Sequence, residues 1–131
     1  MSEKTINENT ASDGKIVLCG ANAYEKKYYF NNQFDKLPES IQEDLHIICV
    51  LFTEEVGGIF MMTFDDDGEL MMQTQSDPDD FYYDDVSAGL LVQEIKRSRQ
   101  ELFEALAVYY RVFILKEDPA ELLAALEKEG Q

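Results

Sequence analysis

An apolar stripe between Asp84 and Lys116 constrains this chain more than any other feature. Leu91, Ile95, Leu102, Leu106, Tyr109 and Phe113 recur at spacings of four, seven, four, three and four. Those intervals keep all six on one side of an α-helix. Glu94, Lys96, Arg97, Arg99, Glu101 and Glu104 fall on the opposite, water-facing side. Asp84 or Asp85 can cap the first turn, where acids also complement the helix dipole. Glu117-Asp118-Pro119 ends the run, because the residue before proline is driven out of helical geometry. A continuous helix over this stretch spans roughly 45–50 Å at ~1.5 Å per residue. That outruns a domain of this size, so one end is expected to project. Val108 to Leu115 is apolar nearly all round, which predicts burial on several sides or contact with another chain.

The remainder reads as elements that fold onto this helix. Residues 1–14 are polar and aperiodic and form an expected tail. Lys15–Ala21 is a β-type run, Gly20-Ala21-Asn22-Ala23 reads as a turn, and aromatic-rich Tyr24–Asn31 supplies a second strand of the same hairpin. Leu37-Pro38-Glu39-Ser40 opens a helix, and Ile41, Leu45, Ile48, Cys49 and Phe52 mark one face of it. Ile47–Phe52 is also compatible with a strand. The unbroken run from Ser40 to Glu55 favours helix, with Gly57 as its natural stop. Ile59–Asp65 and Glu69–Ser76 flank Asp66-Asp67-Gly68, a strong hairpin signal. A short leucine-bearing helix is expected over 120–129.

The predicted fold is therefore α+β in ββαββα order. An antiparallel sheet of about four strands, made of two hairpins, carries two main helices on one face. Residues 15–116 form the single domain, and 117–131 hold the short C-terminal helix.

Charge narrows the partners. With 27 acids against 11 bases the net charge is −16, which disfavours direct contact with nucleic acid or an anionic membrane. It suits a basic protein partner, or simply high solubility. Cys19 and Cys49, the only cysteines, each lie in an apolar run and read as core thiols of a reducing compartment. The N-terminus lacks the basic and apolar regions of a signal peptide, and no apolar run approaches the ~18–20 residues that cross a bilayer. Together these point to the cytoplasm.

Nine of the acids lie within Asp65–Asp85, namely Asp65, Asp66, Asp67, Glu69, Asp77, Asp79, Asp80, Asp84 and Asp85. The spacing is not that of an EF-hand: with Gly68 at the sixth position, Thr74 stands where a bidentate Glu belongs. No metal or cofactor is assigned. The acidic aromatic segment Asp79, Asp80, Phe81, Tyr82 and Tyr83 is instead the leading candidate for partner binding, its rings offering anchors between carboxylates. The alternative is a pocket at the Cys19-Gly20-Ala21-Asn22 turn with Asn22 and Tyr24, where Cys19 would be an exposed thiol. No catalytic residue is assigned, since His46 is the only histidine and no GxGxxG, CxxC, GxSxG or HExxH occurs. Met61-Met62 and Met71-Met72 face each other across one hairpin and suit gap-filling under a helix.

The run Leu18-Cys19-Gly20-Ala21-Asn22, with Tyr24-Glu25 and Lys27-Tyr28-Tyr29-Phe30-Asn31, resembles a family of uncharacterised short proteins from gut Clostridia-type Firmicutes. Leu37-Pro38-Glu39 and Val56-Gly57-Gly58 fit it too, so the likeness covers roughly Lys15 to Lys116. The resemblance implies a bacterial, intracellular source and no assigned activity. Surplus apolar surface on both strand faces, on the end of the long helix and on the 120–129 leucines leads to a homodimer as a further expectation.

Overall fold

The computed structural model describes residues 14–116 together with 118, 120, 121 and 124. All but the last residue of the expected 1–14 tail, and most of the expected helix over 120–129, lie outside the described residues. Strand β1 (Ile16–Asn22) forms a hairpin with β2 (Lys27–Phe30), and α1 (Glu39–Val56) follows. A second hairpin, β3 (Ile59–Phe64) with β4 (Leu70–Gln75), leads into α2 (Asp85–Ser98), α3 (Gln100–Tyr109) and a π-turn over Tyr110–Ile114. The four strands make one antiparallel sheet in the order β2-β1-β3-β4. The α+β fold expected from the sequence is the fold observed, and residues 47–52 are helical.

Register explains which side chains meet the helices. One row across the sheet runs Phe30, Cys19, Met62, Met72, and the next runs Tyr28, Ala21, Phe60, Thr74. Because side chains alternate along a strand, both rows lie on the same face. Leu45, Ile48, Cys49 and Phe52 of α1, one stripe at helical spacing, are buried over that face. Phe52 stacks on Phe60 with ring centroids 4.4 Å apart, a pairing worth about 1 kcal/mol beyond its buried area. At the other end Phe64 stacks on Tyr110 at 4.2 Å, with Phe34 against both.

A β-bulge sets this arrangement. Val17 pairs with Thr63 but Cys19 pairs with Met62, so Leu18 is an extra residue on β1. A regular ladder would place Cys19 opposite Met61, on the other face. Buried Asn31 secures the bulge: its side-chain amide donates to the Val17 carbonyl at 2.7 Å, and its backbone N–H donates to the Leu18 carbonyl at 2.9 Å.

Two expectations are corrected. The long helix is not continuous, because Arg99 leaves helical geometry (φ −118°, ψ 28°) and separates α2 from α3. No glycine or proline marks the site. Beyond the break α3 meets β4, and Leu106 of the expected stripe is buried. Phe103 and Tyr110 are buried, Leu102 and Tyr109 are half-buried against the same core, and Phe113 is exposed. The predicted Gly20–Ala23 turn is also displaced: β1 continues to Asn22, and the turn occupies residues 23–26 with Lys26 at φ 55°. Gly20 is instead a strand residue, where an added Cβ would lie 2.8 Å from the Phe60 carbonyl oxygen.

Candidate functional site

The loop between β4 and α2 is built around Asp80. Its Oδ1 accepts hydrogen bonds from the backbone N–H groups of Tyr82 (3.1 Å) and Tyr83 (3.2 Å). Its own N–H donates to the Asp77 carbonyl at 3.0 Å, which closes the turn through Pro78. The remaining oxygen, Oδ2, accepts from the Tyr24 hydroxyl at 2.5 Å, and that hydroxyl in turn accepts from the Asp77 N–H at 3.0 Å. Tyr24 stands in the turn of the first hairpin, where the Asn22 side chain accepts from the N–H groups of Tyr24 and Glu25. Two loops far apart in sequence are thus joined through one phenol.

Tyr83 fixes the other side of the loop. Its ring lies against Gly58, where an added Cβ would come within 2.6 Å of ring carbon Cε1 and 2.7 Å of the Gln75 carbonyl oxygen. Gly58 also has φ +71°, and its carbonyl accepts from the Ala23 N–H at 2.9 Å. Asp84 then starts α2 as its cap, accepting from the Val86 N–H and the Ser87 hydroxyl, each at 2.9 Å. Hydrogen bonds from Ser87 and the backbone hold the Asp84 carboxyl below its usual range. With the chain pinned at Asp80, Tyr83 and Asp84, Phe81 and Tyr82 stand outward, 89% and 97% exposed. Side chains that size are rarely left so bare.

The predicted loop residues therefore divide by role. Asp80 and Tyr83 shape the loop from within, whereas Asp79, Phe81 and Tyr82 face solvent. The nine-acid cluster divides as well. Asp65–Glu69 forms the β3–β4 turn, and Asp77–Asp85 lies past the far end of β4, a six-residue strand that spans about 20 Å at ~3.3 Å per residue. In the turn, Asp65 Oδ1 accepts from the N–H groups of Asp67 and Glu69, and Gly68 packs against Arg111. No group of three acids, histidines or cysteines converges to hold a metal among the described residues.

The alternative site is brought together only in part. Cys19 is fully buried under α1, so it is not an exposed thiol at a turn, and Tyr24 is turned toward Asp80. Asn22 does border a cleft of about 500 Å³ between the first hairpin and α1, lined also by Tyr28, His46, Val50 and Thr53. There His46 stacks on Tyr28 with ring centroids 4.1 Å apart. This pairing of β2 with α1 carried no signal in the sequence, because neither residue belongs to a spaced motif.

The chain belongs to a family of unknown function, DUF6145, whose profile matches residues 15–118. No curated protein and no solved structure matches the chain. No helix among the described residues is long and apolar enough to cross a membrane.

Proposed function

We propose that this member of a family without an assigned activity is a non-enzymatic interaction module that docks a basic protein partner on its 77–83 loop. The observation that carries the reading is the exposure of Phe81 and Tyr82 on a backbone held by Asp80. An aromatic pair on a pre-ordered loop loses little entropy on binding. It can cover the apolar stem of an Arg or Lys while Asp77, Asp79 and Asp85 meet the charge. Carboxylates around aromatic anchors also make capture sensitive to salt. The bacterial, cytoplasmic setting belongs to the same proposal. The experiment is affinity capture from a bacterial lysate at low and high salt, with the Phe81→Ala/Tyr82→Ala double variant beside the parent chain. One basic partner, retained by the parent at low salt and lost in salt and in the variant, supports the reading. Equal retention by the variant rejects the loop as the contact.

A homodimer is a second reading, favoured by Ile47 and Leu51 one turn apart on the outer side of α1, 48% and 59% exposed. They border a groove of about 460 Å³ shared with Leu91 and Ile95 of α2. Apolar side chains at that spacing on an exposed helix suit a symmetric helix-to-helix contact.

A further inference from the structure

The two cysteines of this chain meet in its core. Cys19 comes from the central strand β1 and Cys49 from α1, and their Sγ atoms are 3.6 Å apart with both side chains fully buried. The Met62 Sδ completes the cluster, 3.6 Å from Cys19 Sγ. This contact exists because the Leu18 bulge puts Cys19 on the helix-facing side of β1, and buried Asn31 holds that bulge. We propose that Cys19 and Cys49 are a reversible dithiol–disulfide pair, a redox modification site that staples α1 to the centre of the sheet. The inference is independent of what the 77–83 loop binds.

Closing the pair to a bond of about 2.05 Å moves the two sulfurs together by ~1.5 Å. The oxidant is of the low-molecular-weight disulfide class. One thiolate attacks it, forming a mixed disulfide and releasing one small thiol. The second cysteine then attacks the protein sulfur of that mixed disulfide, forming the Cys19–Cys49 bond and releasing the second small thiol. Two electrons and two protons leave the protein, and the oxidant is reduced to two thiols. Burial, followed by the neighbouring Cys49 thiol, raises the Cys19 thiol well above its ordinary range. The first attack is therefore slow and proceeds through opening of the core. The Tyr28 hydroxyl is buried beside Cys19.

The test equilibrates the full chain in glutathione buffers from fully reduced to fully oxidised, starting both from the native reduced protein and from unfolded protein. Thiols are then trapped and the mass is read intact. The expected product is one oxidised species, lighter than the reduced chain by two hydrogen atoms and free of glutathione. Non-reducing digestion should join the Cys19 and Cys49 peptides, the urea midpoint should rise, and dithiothreitol should reverse both changes. In Cys49→Ala the lighter species should vanish. Arrival from both directions at the dithiol form in the most oxidising buffer, or at a stable glutathione adduct of the parent chain, overturns the proposal.

Discussion

The Tyr24 hydroxyl donates to Asp80 at 2.5 Å across a sequence separation of 56 residues, and through that one bond the turn of the first hairpin positions the aromatic loop. Replacing Tyr24 with Phe removes the donor and also the acceptor used by the Asp77 N–H. The expected outcome is faster amide exchange at Asp77, Tyr82 and Tyr83 with exchange in β1 and β3 unchanged, read by hydrogen-exchange NMR. Unaltered loop protection in Tyr24→Phe would show that Asp80 organises the loop alone.

The same bond predicts a pH dependence. The Asp80 hydrogen bond, chiefly, raises the Tyr24 hydroxyl above its ordinary 10.0. A group whose folded value is raised contributes fully below its unfolded value and loses that contribution as pH rises through the folded one. The latch is therefore intact at neutral pH and is lost only above about pH 10. The Tyr24 ring-resonance titration should lie above the ordinary tyrosine value in the parent chain and move downward in Asp80→Asn.

Gly58→Ala is expected to destabilise the fold by about 2 kcal/mol, since it adds a side chain at positive φ into the Tyr83 ring. Gly57→Ala meets nothing within 4 Å, but at φ 86°, ψ −161° it stands in a region open to little but glycine, so its cost is backbone strain alone. Urea unfolding of Gly58→Ala with and without Tyr83→Ala separates the clash from the strain at Gly58. An equal loss in both backgrounds would remove Tyr83 from the account of Gly58.

Asn31→Leu is expected to cost about 1–3 kcal/mol, because the buried Val17 carbonyl loses its side-chain donor. The denaturant midpoint measures it. A neutral result would mean that the bulge stands without Asn31.

Ile47→Glu/Leu51→Glu should leave the midpoint near that of the parent, since both positions are exposed, and should convert a dimer to a monomer by light scattering. A parent chain already monomeric at high micromolar concentration ends the dimer reading directly.

Short-range signals carried most of the fold. Asp66-Asp67-Gly68 announced its hairpin because Gly68 supplies the φ of +87° that the turn needs, and the Leu45–Phe52 spacing named the buried face of α1. What escaped depended on partners remote in sequence. Arg99 breaks the long helix without a glycine or proline, and Asp44 on α1 is its ion-pair neighbour at 3.8 Å. Cys19 is legible as a core thiol, but its meeting with Cys49 depends on the Leu18 bulge. The loop was legible as acidic and aromatic. Its division into Asp80 and Tyr83, which build it, and Phe81 and Tyr82, which project, required Tyr24 and Gly58 to be in place.

The strand order β2-β1-β3-β4 also implies an order of assembly. Each outer pair is a hairpin closed by a turn of four or five residues, and hairpins form in roughly 1–10 μs on their own. The central pair joins strands separated by the whole of α1, so its loop-closure entropy is paid before either half gains a partner. The seam between β1 and β3, not either hairpin, therefore carries the largest loop-closure cost in the sheet.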